Sequence, residues 1–398
     1  MTSCTLSCGR VAFEIAFLAA RVLVLALYPV RAARRVLFRR TRSLWSGSPI
    51  LTMPIKCRAE RLLGTDARSL VFATYYITDA FDYNLSRLSA VPVIGRLLPL
   101  AVFIWACVMM DRLHFYCNHG ILPSRKRLTF DFRELRVYRL LGIEVFCWTY
   151  GSDVRSQAVT RALGSPNACT DCDAPGRYCI CDEKAAADNV RQLSSLARAV
   201  FSMGDMKEYT PGSGNDLFFW PVDLDTDDGR RYEPAFPAAN GRGDVRIVHA
   251  PNHRMFKGTR HLERAVAELR LEGVPVELVL VEKVPNTRAL EIYRSADIIF
   301  DQCLIGFHGY FALEGMALGK PVMCFIRRPE DYLLHPDECP IINTHVLSLK
   351  EDIRRLVAGR DSLNAIGRRG RSYVEKHFSV PAFSRRLSSA YHRLGITP

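Results

Sequence analysis

Short apolar runs recur along most of this chain, each followed by a polar or glycine-bearing turn and then by a helical pattern. Ile50 to Cys57 and Leu70 to Ile77 predict strands, the second rich in Val, Phe, Tyr and Thr. Leu97 to Met110 predicts a buried helix containing Pro99, leading into a strand at Leu113 to Cys117. Phe132 to Leu141 predicts a helix that Gly142 terminates, and Ile143 to Tyr150 another strand. Asp188 to Arg198 is helical, Ala199 to Met203 is a strand, and Leu217 to Trp220 leads into Pro221–Asp225. Between Thr226 and Gly243 Asp, Arg, Gly and Pro accumulate, the composition of an interdomain linker.

After the linker the alternation restarts. Val245 to His249, Val276 to Val281, Asp297 to Asp301 and Pro321 to Ile326 predict strands with helices between them. Leu262, Ala265, Val266 and Leu269 form one helix face, with Thr259 as its N-cap and Gly273 as its terminator. From Leu347 the chain is helical to its end. Strands that alternate with helices imply parallel, doubly wound sheets, an α/β chain with a Rossmann-like domain on either side of the linker.

Composition narrows the possible partners. A chain of 398 residues with 48% hydrophobic and 24% charged content is globular and long enough for two cores. Its formal charge of +13 suits nucleic acid, an anionic membrane surface or phosphorylated small molecules. No nucleic-acid motif accompanies the charge, so nucleic acid is not expected. Val11 to Val30 is mostly apolar but contains Glu14 and Arg21, and is followed by Arg31, Arg34, Arg35, Arg39, Arg40 and Arg42. That order is wrong for a signal peptide, and two internal charges disfavour a span. An amphipathic helix lying on the cytoplasmic leaflet, its arginines on anionic headgroups, is expected instead. Most of the 13 cysteines are scattered, several in strand-like apolar contexts, as in a reducing cytoplasm.

Four segments carry candidate chemistry. Asn252-His-Arg-Met-Phe-Lys-Gly258 follows a strand and opens a helix, so free N–H groups, Arg254 and Lys257 can meet a phosphate there. Leu304 to Gly309 reads as an apolar loop with two glycines that permit close backbone approach. It is followed by a helix from Phe311 to Leu318 that carries Glu314, either a carboxylate at a helix start or an acceptor for sugar hydroxyls. Thr149-Tyr-Gly-Ser-Asp-Val-Arg155 lies at the carboxyl end of a strand, where open α/β sheets bind ligands. There Asp153 and Arg155 form either an ion pair or part of a site. Cys169-x2-Cys172-x6-Cys179-x-Cys181, with Pro175-Gly176 between the pairs, can supply four thiolates to a structural zinc, though not to a catalytic one. His114 and His119 are either structural histidines or groups within reach of an acceptor hydroxyl.

Together these residues resemble the retaining glycosyltransferases of the GT-B fold, the group-1/family-4 class, most clearly from Val245 to Pro321. Lys257-Gly258 is similar to that class's phosphate-binding lysine site. Tyr293-Arg-Ser-Ala-Asp297 and Glu314-Gly-Met-Ala-Leu-Gly-Lys-Pro321 are similar to its nucleotide-sugar segments. Tyr150-Gly-Ser-Asp-Val-Arg155 resembles a motif of bacterial polysaccharide glycosyltransferases, and Gly370 to Phe378 the run into a final helix that crosses back to the first domain. The class usually carries a glutamate where Gly306 stands and a histidine where Tyr150 stands.

The resemblance implies two Rossmann-like domains facing a cleft. Residues 1–47 form a membrane-associating segment and 48–225 an acceptor-side domain with a Cys-rich insertion at 167–182. Residues 226–243 form the linker, 244–379 the nucleotide-sugar domain and 380–398 the crossover helix. It further implies a metal-independent transfer of sugar from a nucleoside-diphosphate sugar to a glycan or lipid-linked acceptor, at the inner face of a bacterial envelope. Arg254, Lys257, Gly258, Phe307, His308, Gly309, Tyr310 and Glu314 would hold the donor, Lys257 neutralising the departing diphosphate, and Asp153 and Tyr150 would face the sugar or acceptor from the opposite domain. Two alternatives stand beside it: a sugar-nucleotide epimerase using His249, His253 and His308, and a degenerate, membrane-bound assembly subunit.

Overall fold

The computed structural model describes residues 2–397 apart from 76–77, 125–127, 216, 218–219, 227–228 and 239–242. The first half contains α1 (Thr2–Ala26), α2 (Tyr28–Leu37), β1 (Arg42–Ser46), α3 (Thr52–Arg61), β2 (Asp66–Val71), β3 (Tyr83–Asn84) and α4 (Ser86–Ser89). It continues with α5 (Pro92–Met109), β4 (Arg112–Tyr116), α6 (Phe132–Leu140), β5 (Glu144–Trp148), α7 (Gln157–Ala162), α8 (Glu183–Leu196) and β6 (Ala199–Phe201). All strands are parallel, in the order β3-β2-β1-β4-β5-β6. The order reverses between β1 and β4, and that reversal opens a crevice at the carboxyl ends of the two strands.

The first strand precedes the one the apolar pattern suggests. Ile50 to Cys57 is not a strand; it enters α3, with Pro54 in the first helical turn where its missing N–H costs nothing. The strand is Arg42–Ser46, masked in sequence by Ser43 and Ser46. Ser43 is buried because its hydroxyl donates to Glu60 Oε2 at 2.8 Å. The strand expected at Leu70 to Ile77 begins earlier and closes at Val71, and residues 76–77 lie outside the described set. Neither Leu217 nor Trp220 joins a strand, and 218–219 are likewise outside it.

The second half contains β7 (Val245–His249), α9 (Arg254–Lys257), α10 (Thr259–Leu271), β8 (Val276–Leu280), α11 (Asn286–Arg294), β9 (Ile298–Gly306) and α12 (Tyr310–Ala317). There follow β10 (Val322–Ile326), α13 (Pro329–Tyr332), β11 (Ile342–Asn343), α14 (Leu349–Ala358), α15 (Leu363–His377) and α16 (Val380–Arg393). Its parallel sheet runs β11-β10-β9-β7-β8, so the order reverses between β7 and β9. β9 continues through Gly306, further than the loop read from Leu304 onward: Gly306 pairs with Ile326 of β10, and across the irregular register between them Gln302 Oε1 accepts the Leu304 and Ile305 amides. Thr259 is not the N-cap of α10. Gly258, at φ 78°, takes that position, and the Thr259 hydroxyl bonds His249 Nε2 at 2.9 Å instead.

The last helix returns to the first domain. α16 packs on α3, and Tyr391 Oη donates to buried Glu60 Oε1 at 2.9 Å. At the other end of the chain α1 packs on α5, burying Phe17, Ala20 and Val24. Glu14, the charge interrupting its apolar run, pairs with Arg133 at 2.5 Å. Arg31 and Arg34 do not face headgroups. Arg31 donates to the Cys107 and Met110 carbonyls at the end of α5, and Arg34 pairs with Asp111 at 2.5 Å. Orphan carbonyls at a helix end and a nearby carboxylate offer these guanidinium groups more than solvent does.

Candidate functional site

Both crevices lie where the strand order reverses, and the residues with chemical potential gather there. In the second domain the loop after β7 bends into the single helical turn of α9, and Gly258 then breaks the backbone before α10. A side chain at Gly258 would collide with Cys303 Sγ on β9, which keeps the Lys257 turn pressed against that strand. Lys257 Nζ reaches Asp301 Oδ1 at 2.5 Å. Asp301 also accepts the amide of Gly309, where the chain leaves β9 for α12. A methyl group placed on Gly309 would sit 2.9 Å from Lys257 Nζ. The ammonium and the N-terminus of α12, whose cap carries no side-chain hydrogen bond, therefore share one spot. Burial alone would raise the Asp301 carboxyl. The Lys257 charge and the Gly309 amide outweigh burial and hold it below the usual range.

Other donor-side residues divide between this spot and the surrounding packing. Arg254 does not join Lys257: at the exposed rim it pairs with Glu282 at 2.7 Å and Glu263 at 3.1 Å. Phe307 and His308 are buried, His308 between Phe307 and the more distant rings of Trp220 and Phe378. Burial drives the His308 ring down to about 4, so it is neutral at physiological pH. Tyr310 Oη donates to the Pro221 carbonyl at 3.2 Å. Glu314 is buried in α12, its Oε1 accepting from Tyr232 Oη at 3.1 Å and Asn286 Nδ2 at 2.9 Å. Burial pushes its carboxyl up. Gly306 adopts φ 97°, and the Arg327 guanidinium fills the space a side chain there would take, 2.7 Å from where its Cβ would stand.

In the first domain the two loops at the reversal are tied together, Asn118 Nδ2 donating to Ser48 Oγ at 2.7 Å and to Tyr150 Oη at 3.2 Å. Tyr150 is half-buried and faces this junction. Asp153 does not stand in the crevice as expected. It is buried beneath the loop, where Oδ1 accepts the Tyr150 and Gly151 amides at 3.0 and 2.9 Å. Burial raises it to about 6. Arg155 pairs with Asp205 at 2.7 Å rather than with Asp153. His114 is structural, stacked 3.9 Å from Trp45 inside the sheet. His249 is structural too, bonded to the Phe300 carbonyl and to Thr259.

Sequence reading missed Asp301, Asn286, Tyr232 and Lys56. Asp301 was visible only as the polar end of a strand. Lys56 is buried among the rings of Trp45, Tyr116 and Trp148, 3.2 Å from Tyr116 Oη, and burial lowers it to about 7. Cys169, Cys172, Cys179 and Cys181 are reduced and border one small cavity. Among the described residues no three His, Cys, Asp or Glu side chains already stand as a metal-holding set.

No family model and no curated protein matches the chain in sequence. Solved structures do match it in shape. Sucrose-phosphate synthase from Thermosynechococcus elongatus aligns over 89% of this chain and 99% of its own, at 13% identity and a TM-score of 0.56. Anabaena HepE, solved with UDP-glucose, aligns over 89% and 100%, at 10% identity and a TM-score of 0.54. WaaG, a glycosyltransferase involved in lipopolysaccharide biosynthesis, aligns over 88% and 99%, at 11% identity and a TM-score of 0.50. With two parallel doubly wound sheets, facing crevices and a final helix crossing back to the first domain, the chain has the GT-B fold.

Proposed function

We propose that this protein is a glycosyltransferase that moves a sugar from a nucleoside-diphosphate sugar to a glycan or lipid-linked acceptor. One observation carries the reading: Lys257, the Gly309 amide and the start of α12 converge at the strand-order reversal of the second sheet. Asp301 holds Lys257 and the Gly309 amide in place, and the Lys257 charge with the first-turn N–H groups of α12 suits a diphosphate, acting most strongly on the charge that builds as the diphosphate departs. Solved neighbours that hold UDP or UDP-glucose support a uridine nucleotide. Glu314, held by Tyr232 and Asn286, orients the ribose side, as the family resemblance suggests. Tyr150 faces the acceptor, and Asp153 acts as a positioning group that fixes the Tyr150 loop. Retention of configuration and independence from metal follow the family resemblance.

An apolar cavity of about 360 Å3 beside Asn118, bordered by Phe72, Pro99, His119 and Ile121, favours an acceptor with a lipid portion. The exposed apolar face of α1, with Ile15, Leu18, Val22 and Leu25, favours work at a membrane surface on the cytoplasmic side, beside exposed Arg35 and Arg39. His249, bonded to the Phe300 carbonyl and the Thr259 hydroxyl, has no ring nitrogen left for the proton shuttling that an epimerase would ask of it, which weighs against that alternative. Calorimetric titration with UDP, GDP and ADP, followed by a donor panel read by released nucleotide, tests the proposal. Binding of one diphosphate with release of nucleotide only when acceptor is present supports transfer. Absence of binding to all three overturns it, and interconversion of the donor sugar without acceptor replaces it with epimerisation.

A further inference from the structure

The four cysteines between α7 and α8 take no part in the cleft, and yet they are gathered. Cys169, Cys172, Cys179 and Cys181 border one cavity of about 10 Å3, room for about one water-sized occupant. Cys179 lies within electrostatic reach of the other three, and Cys169 of Cys172 and Cys181. The Gly176 amide donates to Cys181 Sγ at 3.1 Å, the kind of bond that supports a sulfur ligand. Arg161 stands near Cys169, and Arg155, already paired with Asp205, near Cys179. From Gly164 to Ile180 the chain forms turns and bends without a helix or strand. Its few buried apolar groups, Ala168, Cys179 and Ile180, are too small a core to fix its shape.

We propose that Cys169, Cys172, Cys179 and Cys181 hold one structural Zn2+ as a tetrathiolate, and that the resulting knuckle clasps the loop carrying Lys257. The sulfurs edge a shared cavity with room for one small occupant, and a bound Zn2+ would draw them to Zn–S lengths of about 2.3 Å. Zn2+ enters as the free ion and the ligand thiols give up their protons to solvent. Four protein ligands leave no position for water, so the metal organises structure and performs no chemistry. The clasp is visible in the contacts. Asp171, between the first two cysteines, pairs with Arg260 and, at 2.8 Å, with His261 on α10. The Tyr178 ring lies 4.2 Å from that of His253, and Phe256 of α9 borders the cysteine cavity itself. These contacts bracket Lys257 on both sides in sequence.

Metal analysis of the full chain, purified under reducing conditions and incubated with Zn2+, tests the site. One zinc per chain is expected after desalting, released by a thiol-modifying reagent, lost in Cys179→Ser and kept in Cys339→Ser. Co2+ in its place should give the strong visible absorption of a tetrahedral thiolate site. Wild-type protein that retains no zinc, a Cys179→Ser protein that retains it, or peptide mapping that finds Cys169–Cys172 or Cys179–Cys181 disulfides overturns the proposal. For the clasp, chelation should increase proteolysis within residues 252–261, and unchanged cleavage there overturns it. A several-fold loss of nucleotide affinity on zinc removal is also expected; that arm alone rests on the donor reading, while metal content is read without any nucleotide.

Discussion

Lys257 and Asp301 meet at 2.5 Å where the loops after β7 and β9 come together, with Asp301 fully buried and Lys257 nearly so. Removing one partner leaves the other a buried charge, at a cost of about 3–5 kcal/mol where no water replaces it. Lys257→Ala should weaken binding of a nucleoside diphosphate tenfold or more, about 1.4 kcal/mol. Asp301→Asn should lower stability and loosen the Gly309 turn. Because the two groups share one contact, a double-mutant cycle in urea unfolding should return a coupling of about 1–3 kcal/mol. Additive effects would mean that the lysine is not held by Asp301 in solution.

Asp153 is predicted to act through the Tyr150 loop. Asp153→Asn keeps an oxygen for the Tyr150 and Gly151 amides, whereas Asp153→Ala leaves both without their acceptor. The alanine variant should lose about 1–3 kcal/mol of stability and most activity, while the asparagine variant retains the fold. The carboxyl titrates near 6 in the folded chain, above its ordinary 3.8. Its stabilising contribution is therefore complete below 3.8 and is lost as pH rises through about 6. Subtracting the Asp153→Asn unfolding profile from wild type between pH 4 and 7 should reveal that slope. A flat difference would show that the carboxyl is not buried as described.

His249 should have the opposite sign. Burial lowers the ring to about 4 from an ordinary 6.5, so the unfolded chain takes up a proton that the folded chain refuses. Its contribution is present above 6.5 and falls as pH drops toward 4, by up to about 1.4 kcal/mol per pH unit. His249→Gln should flatten the acid side of the stability profile by nearly one proton. It should also cost stability at neutral pH, since the Phe300 carbonyl and the Thr259 hydroxyl lose a matched partner. A wild-type slope in the variant would place the titration elsewhere.

Much of the architecture was legible because two periodicities, strand and helix, repeat cleanly. Val245–His249 and the α10 face of Leu262, Ala265, Val266 and Leu269 follow directly from them. β1 was not legible: Ser43 and Ser46 break its apolar run, and their burial depends on distant groups such as Glu60. α3 was misread because a short apolar run has no period long enough to separate helix from strand. In the site, Lys257 and Gly309 were found because charge and glycine stand out locally. Asp301 and Lys56 were missed because each gains its meaning from a contact across the sheet, Asp301 with Lys257 and Lys56 with Tyr116. Arg254 looked equivalent to Lys257 in sequence; only the positions of Glu282 and Glu263 separate them.

The crossover helix should be latched by Tyr391. Glu60 accepts its hydroxyl along with Trp45 Nε1 and Ser43 Oγ, and lies near His114 and Arg112. Burial alone would raise the carboxyl. His114, Trp45 and Arg112 together outweigh it, to about 2. That stabilisation is present above the ordinary 4.5 and is lost as pH falls toward 2. Tyr391→Phe removes one charge-assisted bond and should cost about 1.5–3 kcal/mol, measured by urea unfolding at pH 7. Loss of α16 docking should appear as faster amide exchange in α16 and α3 together; exchange confined to α16 would show that the two helices do not act as one unit.

Membrane association is best tested without truncation. Arg31 and Arg34 bind the end of α5 and Asp111, so removing the N-terminal helices would strip a cap from α5 and destabilise the first sheet as well as any anchor. Leu18 and Val22 on α1 are 58% and 62% exposed, on the face opposite buried Phe17, Ala20 and Val24. Leu18→Asp with Val22→Asp should therefore leave unfolding midpoints nearly unchanged, because surface substitutions usually stay within about 0.5 kcal/mol each. The pair should abolish flotation with vesicles of phosphatidylglycerol and phosphatidylethanolamine, since apolar insertion is lost and acidic groups face anionic lipid. Arg39→Glu should weaken binding to anionic vesicles and leave binding to neutral ones unaltered, with Arg35, 3.5 Å from Asp111, kept in place. Flotation of the aspartate pair at the wild-type level would place the contact on another surface, or show that α1 lies against protein.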